Sequence, residues 1–195
     1  MTDSPSGLIG RLRSVLTRRV VATLDDVAAQ RAAVAIVVTG EAEPGVLLVK
    51  RQVRAGDPWS GHAAFPGGFS SADDQDATAT AEREAEEETG LPLARVGERL
   101  GRLDDVYPRS VHLPRVIVTP CVFAIRQRLP VAPSAEIERA LWVSVAQLVD
   151  AANRRPFMLE LPTGRREFES IQVESLVIWG LTERIISQFV TLINS

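Results

Sequence analysis

Residues 83–91 read Arg83-Glu84-Ala85-Glu86-Glu87-Glu88-Thr89-Gly90-Leu91, and the interpretation of the whole chain starts from this stretch. It closes a run over residues 77–89 that contains neither proline nor glycine and that follows Asp74 and Asp76, both able to cap a helix. Gly90 and Pro92 come next, as they do beyond many helix C-termini. The pattern therefore predicts a helix over residues 77–89.

Negative charge is concentrated on this predicted helix. The formal net charge of the chain is -3, yet residues 73–88 carry eight acids and a single arginine. At about 100° per residue, Glu84, Glu87 and Glu88 fall on one arc of roughly 100°. Such like charges repel one another, so a divalent cation bound between the carboxylates would explain the cluster, the alternative being a solvated acidic face.

Neighbouring side chains on the same helix have simpler expected roles. Glu82 and Glu86 point to the opposite side and are expected to be solvent residues. Arg83 lies one turn before Glu87 and is expected to pair with it and hold it in place.

Length and composition predict one globular domain with a real core. The chain has 195 residues, of which 45% are hydrophobic and 24% charged. Its longest apolar run, residues 32–38, is far shorter than the about 20 residues that span a bilayer. Arginines interrupt every candidate signal peptide, and the lone Cys121 is compatible with a reducing compartment. We expect a cytoplasmic protein with neither a nucleic-acid nor a membrane partner.

Hydrophobic periodicity predicts a mixed α/β architecture. Helical spacing covers residues 8–16 and 24–32, and apolar β-branched runs predict strands over 33–39, 46–51, 96–106, 115–125 and 139–143. Pro120 indicates an edge strand or a bulge. Residues 52–68 are loop-like, and helices are predicted over 144–152 and 174–193. We expect an N-terminal helical segment, residues 1–31, packed on a single domain, residues 32–195.

The glycine pair Gly67-Gly68, a loop and then residues 83–91 resemble the Nudix box, G-x(5)-E-x(7)-R-E-U-x-E-E-x-G-U with U apolar. The second half matches at every specified position. The first half differs, since fourteen residues rather than thirteen separate Gly68 from Arg83, and Gln75 and Asp76 occupy the region of the first glutamate. The resemblance implies a Nudix-type α/β/α sandwich with a mixed β-sheet and a hydrolase of phosphoanhydride bonds.

The stretched box is similar to that of the coenzyme A diphosphatase branch of this family. That branch has Phe-Pro-Gly-Gly and an Asp-rich loop, as in residues 65–68 and 73–76 here, and residues 47–51, Gly61 and residues 178–182 are also similar to it. The arginine that precedes the glycine in the branch signature is absent. The implied reaction cleaves coenzyme A or its thioesters into 3',5'-ADP and a 4'-phosphopantetheine portion.

The resemblance also implies roles for individual residues. Glu84 and Glu88 would be the main ligands of Mg²⁺ or Mn²⁺, Glu87 would share the ions or act as base, and the Gly68 carbonyl would complete the sphere. Basic side chains ahead of the loop would meet the phosphate oxygens, and the candidates are Lys50, Arg51 and Arg54.

Further candidates lie outside the box, each with a plainer alternative. Glu136 matches the position of an additional acid in the branch and Glu138 is close by, although both are equally well interpreted as exposed turn residues. His62 either contacts phosphate or packs the loop, and Trp59 is a candidate to touch the substrate. Trp142 and Trp179 are expected in the core.

Two other functions stay open at the level of the sequence. A Nudix diphosphatase acting on ADP-ribose, nucleotide sugars or dinucleotides is the first alternative, because one scaffold hosts many substrates. A non-catalytic nucleotide-sensing module is the second. The expected partner in every case is a small nucleoside-diphosphate compound, and a homodimer is left open as the oligomeric state.

Overall fold

Two parallel strands form the centre of the main sheet. The computed structural model describes residues 7–53, 61–108, 114–161 and 164–194. Strand β1 (Gln30–Thr39) pairs in parallel with β6 (Val116–Ile125) along its entire length. Nearly all of both strands is buried, which explains why they are continuous apolar runs rather than alternating ones.

Antiparallel partners extend this centre on both sides. The other strands are β2 (Gly45–Arg51), β3 (Ala63–Ala64), β4 (Gly67–Phe69), β5 (Glu98–Arg102) and β7 (Ile137–Ser144). The order is β3-β2-β1-β6-β5, with β4 also paired to β1 and β7 to β2. Strand β2 meets β1 at the pair Val46 and Val38, and β4 takes over the start of β1. The predicted mixed sheet is confirmed.

Helices cover both faces of the sheet. Helix α2 (Ala77–Thr89) packs on one face, where Ala81 and Ala85 contact a cluster that includes Val37 and Phe123. Helices α1 (Leu8–Arg18) and α5 (Gly180–Ile193) lie on the other, with Leu12 and Phe189 in its core. The short helix α3 (Leu93–Val96) packs beside α2, and α4 (Val145–Val149) packs against β7 and α5. This is the predicted α/β/α sandwich. None of the helices in the described residues is long and apolar enough to cross a membrane.

Helix α2 has the limits that its sequence predicts. The Asp76 carboxylate accepts a hydrogen bond from the Ala79 amide at 2.9 Å and caps the N-terminus. Gly90 ends the helix in the left-handed conformation, φ 69°, and its amide donates to the Glu86 carbonyl. The position of every box glutamate follows from these two ends.

The helix predicted over residues 24–32 does not form. Residues 19–28 are extended or turn-like, because their amides find other partners: the Ala22 amide donates to Asp104 and the Leu24 amide to Asp105. Arg19 also pairs with Asp104. The division of the chain at residue 31 stays a proposal, and within the described residues its helical part ends at Arg18.

A second sheet occupies the region after α4. It contains β8 (Arg154–Leu161), β9 (Gly164–Val173) and β10 (Leu176–Trp179), none of which was predicted from the sequence. The helix predicted from residue 174 begins only at Gly180, because residues 176–179 alternate between buried and more exposed side chains, as a strand does. Residues 174 and 175 form the turn, where Glu174 has a positive φ of 50°.

The edge-or-bulge interpretation of Pro120 is wrong for its own strand. Strand β6 is paired on both sides, and its partner β5 ends at Arg102, opposite Cys121. Beyond that point the Pro120 carbonyl accepts the Leu103 amide at 2.9 Å. The irregularity lies in β5, between Arg99 and Gly101. A proline is tolerated inside the sheet because the regular ladder of β5 has already ended there.

Gly67 should be essential for stability. A Cβ on Gly67 would lie 2.4 Å from the Ala33 carbonyl oxygen and 2.7 Å from the Val34 Cα, so strand β4 could not stay on β1. We expect Gly67→Ala to lower the free energy of unfolding by about 2 kcal/mol or more, measured by urea denaturation. Gly45→Ala is the matched control, because its Cβ would meet only the Arg128 side chain, and a loss as large as that of Gly67→Ala would contradict the account.

Candidate active site

The strand β4 and helix α2 bring backbone and carboxylates into contact. The Gly67 amide donates to Glu88 Oε2 at 3.1 Å, and the Glu88 side chain is almost fully buried. A Cβ on Gly68 would lie 2.5 Å from the Glu84 carboxylate. The absence of a side chain at position 68 is therefore what lets the Glu84 carboxylate rest against the β4 backbone.

The three glutamates differ in their exposure. Glu88 is buried, Glu84 is half-buried and Glu87 is exposed. All three belong to the same arc of α2, as the periodicity predicts, but only the first two are withdrawn from water. Glu87 stands at the solvent side of the group.

Burial disfavours the charged form of the two inner carboxylates. It raises the pKa of Glu88 to about 7, against the opposing effects of the Gly67 amide and Arg51, and the charges of Glu84 and Glu136 act in the same direction as burial. Burial is also the largest cause of the raised pKa of Glu84. Two desolvated acids side by side form a site whose ionised state calls for a cation.

Arg83 connects the helix to the acidic loop before it. Its Nε and Nη2 donate to the Asp74 carboxylate at 3.0 and 2.9 Å, and its Nη1 donates to Glu84 at 2.7 Å and to Glu87 at 3.1 Å. A fifth bond reaches the Phe69 carbonyl. The predicted pair between Arg83 and Glu87 is confirmed, and it belongs to a larger network.

Asp74 is a member of this network, although the sequence predicted it only as a possible helix cap and as part of the Asp-rich loop. The Arg83 guanidinium, the Ser71 amide and the Thr80 hydroxyl hold the pKa of the Asp74 carboxyl well below its usual range. The hydrogen-bonded pair that Arg83 forms with Asp74 also raises the pKa of Arg83. The sequence signal that could have found it is an acid nine residues before the arginine, in the loop that precedes the box helix.

The basic end of β2 lies close to the buried glutamate. Arg51 Nη1 is 3.6 Å from Glu88 Oε1, and the Arg51 amide donates to the His62 carbonyl at 3.1 Å. Lys50 has turned to the other side, where its Nζ is 2.8 Å from Glu138. The structure thus brings Arg51, but not Lys50, next to the box glutamates.

The acids proposed from outside the box have different surroundings. Glu136 is exposed, but its charge acts on the pKa of Glu88 and its carbonyl accepts the Gln52 amide at 2.9 Å. Glu138 is held in the ion pair with Lys50. The charge of Glu136 thus acts on the box helix, and Glu138 is engaged by Lys50.

One sequence prediction needs correction, and two candidate residues lie outside the described part of the chain. Glu82 is not a solvent residue: it is buried and accepts two hydrogen bonds from Arg99, at 2.7 and 2.6 Å, whereas Glu86 is exposed as expected. Helix spacing predicted that Glu82 is exposed because it gives no information about Arg99, which reaches Glu82 from β5. Outside the described residues lie two candidates for substrate contact, Arg54 and Trp59.

The remaining aromatic candidates are placed at partly buried positions. His62 meets Trp179 edge to face, with ring centres 4.7 Å apart. Trp142 packs at the margin of the core under α2, and its Nε1 donates to the Leu129 carbonyl at 3.1 Å. Trp179 is half-buried rather than enclosed in the core.

The donor set suits an ion that is held only in part by the protein. Across the described ranges, no three histidine, cysteine or carboxylate side chains are arranged to hold a metal ion by themselves. What the structure does supply is two desolvated carboxylates, Glu84 and Glu88, beside a backbone that a glycine leaves open. Hard cations such as Mg²⁺ bind oxygen donors of this kind and keep several waters or substrate oxygens.

Comparison with known proteins agrees with this geometry. The sequence profile of the NUDIX domain matches residues 29–161. The chain is 31% identical over 160 residues to the uncharacterized Nudix hydrolase NudL of Escherichia coli, and this match covers 82% of the chain and 80% of NudL. It is 35% identical over 114 residues to an uncharacterized protein of Schizosaccharomyces pombe, a match that covers 54% of this chain and spans one third, 33%, of that longer relative.

A solved structure of a Nudix family protein has a similar fold. A crystal structure of a MutT/nudix family protein from Enterococcus faecalis superimposes with a TM-score of 0.56 at 16% identity, covering 99% of this chain and 72% of the other. The profile match extends over most of the main sheet and α2, the elements that carry the glutamates and the glycine pair. The chain therefore belongs to the Nudix family, and the prediction of a Nudix-type phosphoanhydride hydrolase is confirmed.

Proposed function

We propose that this chain is a Mg²⁺- or Mn²⁺-dependent diphosphatase that cleaves coenzyme A or its thioesters. The observation that carries the proposal is the buried Glu88 carboxylate, held by the Gly67 amide beside Glu84. Glu84, Glu87 and Glu88, with the Gly68 carbonyl, are the proposed metal ligands. The bound ion supplies charge neutralisation, a Lewis acid and an activated water.

Each protein group has a separate task in this proposal. Arg83 positions Glu84 and Glu87, because one nitrogen donates to both carboxylates while Asp74 fixes the rest of the guanidinium. Exposed Glu87 is the carboxylate best placed to take a proton from water arriving from solvent, in addition to sharing the ions. Glu136, which lies outside the box, adds negative charge near this centre, and that charge contributes to the raised pKa of Glu88.

A cationic side chain is needed on the phosphate side. Arg51 is the strongest candidate, because its guanidinium already lies 3.6 Å from Glu88 and presents a planar fork to non-bridging oxygens. Lys50 becomes available to a phosphate only by leaving Glu138. Arg54, Trp59 and His62 are retained as proposed substrate contacts.

The choice of coenzyme A is supported by the resemblance of residues 65–68, 73–76 and 178–182 to the diphosphatase branch. ADP-ribose, nucleotide sugars and dinucleotides are the alternative substrates. A nucleotide-sensing module without catalysis is the alternative of another class, and the retention of all three glutamates with Arg83 argues against it. A cytoplasmic location and a homodimer remain predictions.

A substrate panel tests the proposal directly. Purified protein with magnesium is expected to release 3',5'-ADP from coenzyme A, resolved by chromatography, with a higher kcat/KM than for ADP-ribose, nucleotide sugars or dinucleotides. Turnover of ADP-ribose with none of coenzyme A would reject the substrate. Tight nucleotide binding with no hydrolysis of any compound would favour the sensing module.

The raised pKa of Glu88 predicts a trade between stability and activity. In the folded, metal-free protein its pKa is about 7 rather than 4.5, so folding favours the protonated form, and ionisation above pH 7 costs roughly 3 kcal/mol. Glu88→Gln removes this cost. In EDTA at pH 8 we expect its Tm to exceed that of the parent by about 5 °C or more, shrinking toward zero at pH 5.

The same variant should fail as an enzyme. Activity with magnesium is expected to fall by about a hundredfold or more, because a charged donor is lost. Glu86→Gln, on the exposed side of α2, is the matched control and should leave both the Tm and the activity near parental values. A lowered Tm for Glu88→Gln at pH 8 would show that the buried carboxylate is not under electrostatic cost.

Gly68→Ala separates the site from the fold. The added Cβ would meet only the end of the Glu84 side chain, which can rotate away, so the free energy of unfolding should change by less than about 1 kcal/mol. The displaced carboxylate should lower kcat/KM about tenfold to a hundredfold. Parental activity in Gly68→Ala, measured in the substrate assay, would show that the position of Glu84 does not matter.

A further inference from the structure

Four aromatic rings gather on one face of the second sheet. Phe157 and Phe168 are directly opposite each other on β8 and β9, and Trp179 on β10 lies 5.5 and 5.0 Å from their ring centres. His62 packs edge to face on Trp179 at 4.7 Å. We call these four side chains the aromatic face.

This aromatic face adjoins the proposed active site. The carbonyl of His62 accepts the Arg51 amide, and the Arg51 guanidinium lies 3.6 Å from Glu88. The next strand, β3, is tied to α5 by the Thr182 hydroxyl, which donates to the Ala63 carbonyl at 3.0 Å. A molecule bound through its phosphates at Arg51 would thus have the aromatic face beside it.

The opposite face of the second sheet packs into the core of the domain: Ile171 and Ile178 are fully buried, and Arg154 pairs with Glu183 of α5 at 2.9 Å. The aromatic rings, in contrast, are each only half-buried. Large aromatic side chains that keep accessible surface next to a ligand site are typical of stacking surfaces.

A positive charge borders the aromatic face. The Arg166 guanidinium lies 5.7 Å from the centre of the Phe168 ring, two residues before it on the same side of β9, and the Arg166 side chain is exposed. Flat aromatic surface and an arginine match a purine ring whose sugar carries a phosphate. An uncharged apolar ligand would make no use of the arginine.

We propose that the aromatic face binds the base of a phosphorylated purine nucleoside, with Trp179 stacking on the ring and Arg166 pairing with a phosphate on the sugar. The proposal rests on the proposed function and deepens it. It makes the second sheet the element that selects a 3'-phosphorylated nucleoside diphosphate over one that lacks this phosphate. Trp179 and Arg166 would be specificity-determining residues.

Binding of two hydrolysis-resistant probes tests the proposal. Adenosine 3',5'-bisphosphate and adenosine 5'-monophosphate contain no phosphoanhydride, so calorimetry with magnesium measures their Kd without turnover. The parent should bind the bisphosphate about tenfold more tightly, equivalent to about 1.4 kcal/mol. Trp179→Leu should weaken both probes about tenfold, whereas Trp179→Phe should retain most of the affinity.

The arginine is tested against its neighbour. Arg166→Gln should abolish the preference for the bisphosphate, while Arg165→Gln, on the other side of β9, should keep it. Thermal unfolding of each variant controls for folding. In the substrate assay, Trp179→Leu should raise KM for coenzyme A more than it lowers kcat, which loss of structure alone would not do.

The outcomes of this test are separate from those of the proposed function. Unchanged Kd values in Trp179→Leu, or a bisphosphate preference that survives in Arg166→Gln, would overturn the proposed role of the aromatic face even if coenzyme A is hydrolysed. The expected binding pattern without hydrolysis of any diphosphate would support nucleoside binding at the aromatic face and reject the proposed function.

Discussion

The rest of the structure depends on one constraint: the carboxylates of Glu84 and Glu88 are withdrawn from water and lie against the backbone of Gly67 and Gly68, which have no side chains. Strand β4 can lie on β1 only because position 67 is glycine, and the Glu84 carboxylate can reach β4 only because position 68 is glycine. Helix α2 must be capped at Asp76 and at Gly90 for the two carboxylates to face that strand. Two buried acids weaken the metal-free fold, and this cost has a reason if the ionised pair binds a cation.

The surrounding charges keep this pair in place without neutralising it completely. Arg83 is shared between Asp74 and the box glutamates, so its orientation is set by the loop rather than by the site alone. Arg51 Nη1 lies 3.6 Å from Glu88 Oε1, so the arginine that we propose as the phosphate contact is next to the acidic pair. This distribution of charge fits an enzyme for anionic substrates: the carboxylates of Glu84 and Glu88 would hold a cation, and the neighbouring Arg51 would meet a phosphate group.

Local signals were sufficient for the elements whose own residues determine them. The box helix, the central strands and the pairing of Arg83 with Glu87 follow from caps, periodicity and helix spacing, and each is found as predicted. Two of the failures involve partners distant in sequence. Residues 19–28 are extended because Asp104 and Asp105 bind their amides, and Glu82 is buried because Arg99 reaches it from β5. The second sheet was missed because no prediction covered residues 154–173, and because its third strand, residues 176–179, lies inside the stretch predicted as a helix over 174–193. Sequence spacing alone could not show these contacts.

The most direct test of the central claim is a calorimetric Mn²⁺ titration of three proteins at neutral pH: the parent, Glu88→Gln and Glu86→Gln. The account predicts saturable binding with proton release in the parent and in Glu86→Gln, and a loss of most of the affinity in Glu88→Gln. Equal binding by all three proteins, or no binding by any of them, would contradict the assignment of the buried carboxylates to a cation.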